Sequence, residues 1–390
     1  MVTHRQQAAS SVRRDAWVEI DLSAIEKNLS VIKNWMGKDQ PPPQIMAVVK
    51  SDAYGHGAVQ VAEVLLASGA TWLAVASVDE GSQIREIDSS APILILSPSP
   101  FWALGTAISD SLDLTVTSIA EIEAIADVAR KLHMCARVHL KVDTGMHRIG
   151  CPPEKAKELV ELIESLPELD LRSIYSHLAI ADNEESVRFQ NNIFSSVLDD
   201  IDYKSRKNGE GTRLFAHLAS SDAAHLFPFS RHDLVRAGLN LYGLESTRNS
   251  KTLTPALALR GRINHIRDIK EGESVGYGLT WTAKRQTRLG NIPIGYADGV
   301  DRKLSNRLQG LLSGKLINQV GRISMDQMLF DITDVPEAQE GDVITLIGEE
   351  NGLRIGLSDW ALILDTITYE LACRLRVRLP RIYTRRRNGQ

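Results

Sequence analysis

Between about Gln44 and Glu245, short runs of β-branched and apolar residues alternate with stretches in which apolar residues recur every three or four positions. The runs are Ile45 to Val49, Trp72 to Ala76, Pro92 to Leu96, Leu112 to Val116, Arg137 to Val142, Leu171 to Tyr175, Leu214 to His217 and Leu234 to Tyr242. Ser118 to Lys131 and Pro153 to Ser165 are the clearest intervening stretches, with the period of an amphipathic helix. Strands alternating with helices predict an α/β fold. Eight of them suit an N-terminal (β/α)8 TIM-type barrel, whereas fewer true strands would suit an open doubly wound sheet. After about residue 255 the texture changes to short runs cut by glycine, such as Arg288 to Ile294, Asp342 to Gly348 and the turn at Glu271-Gly272. This predicts a C-terminal mainly β domain with one late helix, Leu357 to Arg374. The expected divisions are a flexible tail over 1–15, the barrel over 16–255, the β domain over 256–384 and a basic tail over 385–390.

Composition narrows the classes. A chain of 390 residues with 43% hydrophobic content buries a large core. A formal charge of −4 gives no basic excess for nucleic acid, and Arg385, Arg386 and Arg387 read as a solvated tail. Cys135, Cys151 and Cys373 are too scattered for a disulfide framework or a zinc site, so no metal is expected and a cytoplasmic setting suits them. The polar N-terminus lacks an apolar signal core, and the apolar segment Ala361 to Ile367 is short and interrupted by Asp365, so no membrane association is expected.

Lys50 ends the first barrel run and is followed by Ser51-Asp52-Ala53-Tyr54-Gly55-His56-Gly57. The C-terminal mouth of a barrel strand is where such folds place active sites. A partly desolvated lysine there loses its proton readily and can form a Schiff base, although most lysines at strand ends are merely solvated. The whole string Ala47-Val48-Val49-Lys50-Ser51-Asp52-Ala53-Tyr54-Gly55-His56-Gly57 resembles the cofactor-lysine motif of alanine racemases. Ser51 and Asp52 are mild variations on it. The resemblance implies that Lys50 holds pyridoxal 5'-phosphate covalently and that the Tyr54 hydroxyl contacts the phosphate.

Further motifs follow in the family's order. Leu140 to Gly150 looks like the segment carrying the substrate-side arginine, here Arg148, whose planar fork suits a carboxylate. Lys141 is, by resemblance, a candidate for carbamylation. Read alone, Asp143-Thr144-Gly145 also suggests an aspartic protease, but that chemistry needs a second such triplet and none occurs. Ser173 to Ala179 and Leu234 to Gly243 are similar to two more family strands, which implies that Arg236 faces the pyridine nitrogen and that His177 links it to the catalytic tyrosine. A permanently charged arginine there discourages ring protonation and so limits side reactions such as transamination. Phe215 to Ser221 resembles the phosphate-side strand, with Ser220 where the family commonly has asparagine. Ser221 and the N–H groups of Gly238 and Leu239 are expected to reach the phosphate, while both serines also read as caps of the following helix.

The β region supplies Glu273 to Gly278, Ile292 to Gly299 and Val320 to Gln327, each similar to a β-domain motif of the same family, with Ser324 where cysteine is common. The resemblance implies a homodimer in which Tyr277 reaches the other subunit's cofactor, while Tyr296, Met325 and Tyr369 shape the substrate's approach, with the Met325 backbone as a substrate contact. Inverting a stereocentre needs a base on each face. By resemblance, Lys50 serves the D-isomer and Tyr277 the L-isomer of alanine, supplying D-alanine for peptidoglycan. A tyrosine's ordinary pKa of about 10 calls for help from the His177–Arg236 chain. The same-fold alternative is a basic amino-acid decarboxylase, which would place an acidic residue where Arg236 stands. A non-catalytic vitamin-B6 carrier resembles the barrel alone, and the long C-terminal region with Tyr277 argues against it.

Overall fold

Each of the eight apolar runs contains a strand, and all eight strands lie parallel. The computed structural model describes residues 14–37, 39, 41–87, 90–208, 213–244, 252–375 and 378–385. Most of the expected N-terminal tail, together with Arg386 and Arg387, lies outside the described residues. A first strand, β1 (Ala16–Asp21), precedes the barrel strands β2 (Gln44–Val48), β3 (Trp72–Val75), β4 (Ile93–Ile95), β5 (Asp113–Val116), β6 (Ala136–Lys141), β7 (Leu169–Tyr175), β8 (Phe215–His217) and β9 (Leu234–Ala237). Each barrel strand from β2 to β7 pairs with the next in sequence, and β9 returns to pair with β2. The remaining gap is closed by a parallel bridge between Ser220 and Arg236, with Arg236 N–H donating to the Ala219 carbonyl at 3.1 Å. The sheet is a barrel, not an open doubly wound sheet.

The period of two along a strand decides what fills this barrel. On β6, Val138 and Leu140 alternate with His139 and Lys141, and all four are buried. Ser173 and Tyr175 on β7, Asp113 and Thr115 on β5, His217 on β8 and Arg236 on β9 hydrogen-bond with one another or with β6, so the inner layer is polar.

Two sequence expectations are corrected in detail. The run Leu234 to Tyr242 is not one strand: extended backbone stops at Ala237, and after Gly238 the chain winds into a 3-10 turn, Leu239–Tyr242, whose Tyr242 hydroxyl donates to the Val48 carbonyl at 2.7 Å. The late helix is two, Leu357–Leu364 and Thr368–Arg374, because Asp365 takes a left-handed conformation that ends the first.

The described residues form two compact units, one of residues 25–53 and 57–254, the other of the rest. In the second unit the strands His265–Ile269, Thr287–Ile292, Met328–Asp331, Lys315–Val320, Gln309–Leu312, Val343–Glu350 and Leu257–Arg262 follow one another across a largely antiparallel sheet. β1 pairs antiparallel with Leu257–Arg262 and parallel with Arg381–Thr384, so both ends of the described chain are sewn into this sheet. Ile269, Val275, Ala283, Leu289 and Val320 form an apolar cluster there.

Candidate active site

Lys50 stands directly beyond β2, at the end of the barrel where the strands finish. The chain after it turns left-handed. Ser51, Asp52, Ala53 and Tyr54 all have φ between 53° and 54°, a conformation costing side-chain-bearing residues roughly 1–2 kcal/mol each. Polar contacts hold the turn: Ser51 N–H donates to Glu80 Oε1 (2.7 Å), and Ala58 N–H to Asp52 Oδ1 (2.8 Å). The second Glu80 oxygen accepts from Ala76 N–H, so one carboxylate ties the mouths of β2 and β3 together. Strain concentrated at such a point belongs with function.

Around Lys50 the barrel gathers positive charge. Lys141 Nζ, buried and donating to the Leu96 carbonyl at 3.2 Å, is pushed down to about 8, first by burial and then by Arg236, Arg148 and Lys50. Burial first, and then the charges of Arg236, Arg148, Lys141 and Lys50, hold the His177 imidazole well below its ordinary range, so it is neutral. Arg148 is exposed on the loop after β6. That loop is shaped by Asp143, whose Oδ1 accepts from the N–H groups of Gly145, Met146 and His147 at 2.9 to 3.1 Å. These bonds keep the Asp143 carboxyl ionised below its usual range, a structural role that removes the aspartic-protease reading.

Arg236 is buried at the closing seam. Its Nη1 donates to His217 Nδ1 (2.6 Å) and the His217 carbonyl (3.2 Å), and its Nη2 to the carbonyls of Ser176 (2.6 Å) and Leu218 (2.8 Å), with His177 Nδ1 at 3.3 Å. Nε–H alone makes no hydrogen bond among the described residues. Burial lowers the guanidinium to about 10, which leaves it charged at neutral pH. Ser221 Oγ accepts the Gly238 N–H at 2.9 Å, so that amide is already committed. Ser220 is the N-cap residue of helix Ser221–Leu226 but makes no side-chain capping bond.

In the second unit, burial, Cys373 and Tyr369 raise the Tyr54 phenol above its ordinary value, so it is protonated and able to donate. Tyr277 is 70% exposed on a 3-10 turn after Gly276, whose φ of 75° suits glycine. With Met325, itself exposed, it lines a groove of about 1230 Å³. The Met325 carbonyl accepts from Ala297 N–H at 3.0 Å, and Tyr296 is 41% exposed beside it.

Residues 20–246 match the profile of the alanine racemase N-terminal domain, and residues 256–383 match that of the C-terminal domain. The chain belongs to the alanine racemase family. It is 39% identical to an alanine racemase of Nostoc sp., with 98% of this chain and 99% of that one aligned, and 40% identical to one of Synechocystis sp. over 95% and 99%. Among solved structures, alanine racemase of Clostridium difficile matches with a TM-score of 0.87 at 33% identity, covering 96% of this chain and 97% of that one. The Bacillus anthracis alanine racemase with bound L-Ala-P matches at 0.86 and 34%, covering 97% of each. Alanine racemases are isomerases, so the class of reaction follows from membership.

The residues present fit the cofactor that this family implies. Four cations influence one another at the barrel mouth, and Asp143 alone opposes them at Lys141, an arrangement suited to a phosphate and a carboxylate. The open Arg236 Nε–H is a charged donor awaiting a neutral acceptor such as a ring nitrogen. Sequence reasoning did not single out Glu80, Asp113, His139, Ser173 or the role of His217. The available signal was polar residues at alternate positions within otherwise apolar strands, as in Arg137-Val138-His139-Leu140-Lys141.

Proposed function

We propose that the chain interconverts L-alanine and D-alanine with pyridoxal phosphate carried on Lys50, using Lys50 and Tyr277 as bases on opposite faces of the α-carbon. The observation that carries this is the Arg236 guanidinium, in a chain of the alanine racemase family, with every donor but Nε–H committed to protein acceptors. When bound, the cofactor's ring spreads the negative charge left on the α-carbon after proton removal. Arg236 offers that ring nitrogen a hydrogen bond rather than a proton, which keeps the charge localised and favours prompt reprotonation. Arg148 grips the substrate carboxylate, with the Met325 backbone as a further contact. Ser221, the Leu239 N–H and the Tyr54 hydroxyl serve the phosphate, and Gly238 acts through Ser221. Tyr296 and Tyr369 narrow the approach, and Lys141, once carbamylated, orients Arg148.

Lys50 holds and moves the proton of the D-isomer, Tyr277 that of the L-isomer. An exposed Tyr277 is available to a second copy of the chain, which supports a homodimer with shared sites. No described helix is long and apolar enough to cross a membrane. A cytoplasmic enzyme supplying D-alanine for peptidoglycan is the setting this reading implies.

The test is to incubate the protein with L-alanine in heavy water and follow optical rotation and α-deuterium together, beside Lys50→Ala. Loss of rotation with deuterium uptake, absent in the variant, is expected. Unchanged rotation from both enantiomers would overturn the reading.

A further inference from the structure

A chain of buried polar side chains runs around the inside of the barrel, one from each of five neighbouring strands, and ends on Arg236. Asp113 Oδ2 on β5 lies 3.0 Å from His139 Nε2 on β6, and His139 Nδ1 lies 2.6 Å from Ser173 Oγ on β7. Ser173 Oγ is 2.8 Å from His217 Nε2 on β8, and His217 Nδ1 is 2.6 Å from Arg236 Nη1 on β9. Asp113, His139, Ser173 and His217 are each 0% exposed, so bulk water does not reach these bonds. At the outer end Arg137 Nε donates to the second Asp113 oxygen at 2.6 Å.

The two ends fix the direction of every bond between them. Arginine only donates and a carboxylate only accepts. His217 Nδ1 must therefore accept from Arg236, which puts the imidazole hydrogen on Nε2, facing Ser173. The Ser173 hydroxyl then donates to His139 Nδ1, and His139 Nε2–H donates to Asp113. A doubly protonated His139 would leave the serine hydrogen without an acceptor, and a doubly protonated His217 would set N–H against N–H at Arg236. One pattern satisfies all the hydrogens, with both imidazoles neutral and both protonated on Nε2. The Tyr175 ring lies flat on His217, 4.7 Å away at 2°, and is itself held by Thr115 Oγ1 at 2.7 Å, so the imidazole cannot turn out of plane.

We propose that Asp113, His139 and Ser173 are positioning residues for the racemase reaction, fixing the tautomer of His217 and thereby holding Arg236 with its Nε–H toward the cofactor site. This rests on the reading in which Arg236 faces the ring nitrogen. The relay makes a carboxylate four side chains away from Arg236 a determinant of its orientation. Without the serine hydroxyl, His217 is released to carry its hydrogen on Nδ1, which repels the guanidinium and swings it from its place.

The test begins with cofactor-free protein labelled with 15N at histidine. Wild type is expected to show His139 and His217 both protonated on Nε2 at neutral pH, with the His217 signal unchanged between pH 6 and 9. In Ser173→Ala, His217 is expected to populate the Nδ1–H form. In the holoenzyme that variant should lose roughly tenfold in kcat, equivalent to about 1.4 kcal/mol, with KM changed less than twofold and the bound cofactor's absorption band shifted. Ser173→Thr, which restores a hydroxyl, should recover both. A wild-type His217 protonated on Nδ1 would overturn the proposal whether or not any variant folds. So would Ser173→Ala with wild-type tautomers and spectrum, or Ser173→Thr folded but as impaired as alanine. Failure of the wild type to racemise alanine would instead sink the functional reading and leave the tautomer result standing.

Discussion

Replacing Lys141 by methionine keeps an unbranched side chain, one heavy atom shorter, and removes a charge from a site where the other groups acting on it are mostly cations. In the folded protein its amine titrates near 8 against an ordinary 10.5, because burial and the charges of Arg236, Arg148 and Lys50 disfavour the ammonium. That gap corresponds to about 3.4 kcal/mol, at roughly 1.36 kcal/mol per unit. The sign follows from linkage: the folded value is the lower one, so the cost is fully present below pH 8, fades as pH rises toward 10.5 and is gone above it. Methionine forfeits the bond to the Leu96 carbonyl, worth about 1 kcal/mol. It also forfeits the ammonium's place 5.4 Å from the centre of the Tyr175 ring, worth about 0.5–1 kcal/mol. The Leu96 carbonyl keeps the Tyr175 hydroxyl at 3.2 Å, whose single hydrogen it shares with Thr115 Oγ1, so the acceptor is only partly served. The balance is a gain of about 1.5 kcal/mol for Lys141→Met at pH 7, or a Tm higher by about 2–4 °C. Calorimetry of cofactor-free protein in carbon-dioxide-free buffer measures it. Saturating bicarbonate should then raise the Tm of wild type alone: the neutral amine, about one molecule in ten at pH 7, attacks carbon dioxide, loses a proton and becomes an anion among cations. A variant that melts below wild type in carbon-dioxide-free buffer, or a wild type indifferent to bicarbonate, would refute this reasoning.

Three other outcomes are expected. Tyr277→Phe should lose solvent-hydrogen exchange from L-alanine by about a hundredfold or more while retaining exchange from D-alanine, since each base serves one face; equal losses with both enantiomers would contradict the division of labour. Asp298→Ala should destabilise the protein by about 1–3 kcal/mol, because the buried carboxylate is lost to Arg14, Arg378 and the Gly295 N–H, while Arg378 keeps Asp326 at 2.6 Å and Arg14 keeps the Arg378 and Pro293 carbonyls. Because those partners hold the Asp298 carboxyl below its ordinary range despite burial, the wild type should lose this contribution as pH falls through that lowered value, and urea titration between pH 2 and 6 reads both effects. Gly150→Ala should raise the KM for alanine at least tenfold, because Gly150 has φ of 148° and an added Cβ would stand 2.5 Å from Asp143 N, displacing the loop that carries Arg148; an unchanged KM would show that the loop does not position that arginine.

Most of the architecture was legible because strand and helix periods differ sharply, and seven of the eight barrel runs end within a few residues of the observed strands. The run Leu234 to Tyr242 misled because apolar residues continue past Gly238 into a 3-10 turn, where burial persists without extended backbone. The double late helix was hidden for a similar reason: Leu357 to Arg374 keeps a helical pattern through Asp365, whose left-handed conformation no apolar period reveals. At the site, Lys50, Arg148 and Arg236 stand out as charges on or beside apolar strands. The left-handed turn after Lys50 was invisible, since Ser51, Asp52 and Ala53 carry no sign of positive φ, and what holds them is in part a distant residue, Glu80. The Asp113-to-Arg236 relay needs five strands to come into register before any two of its members meet, so no local pattern announces it.

The most direct measurement of the central claim is reductive trapping. Wild-type protein loaded with pyridoxal phosphate is treated with borohydride, digested and mapped by mass spectrometry, with Lys50→Ala alongside. A single phosphopyridoxyl group on the peptide containing Lys50, absent from the variant, is the predicted result. Modification of Lys141 or of a surface lysine instead, with Lys50 unlabelled in active protein, would contradict it.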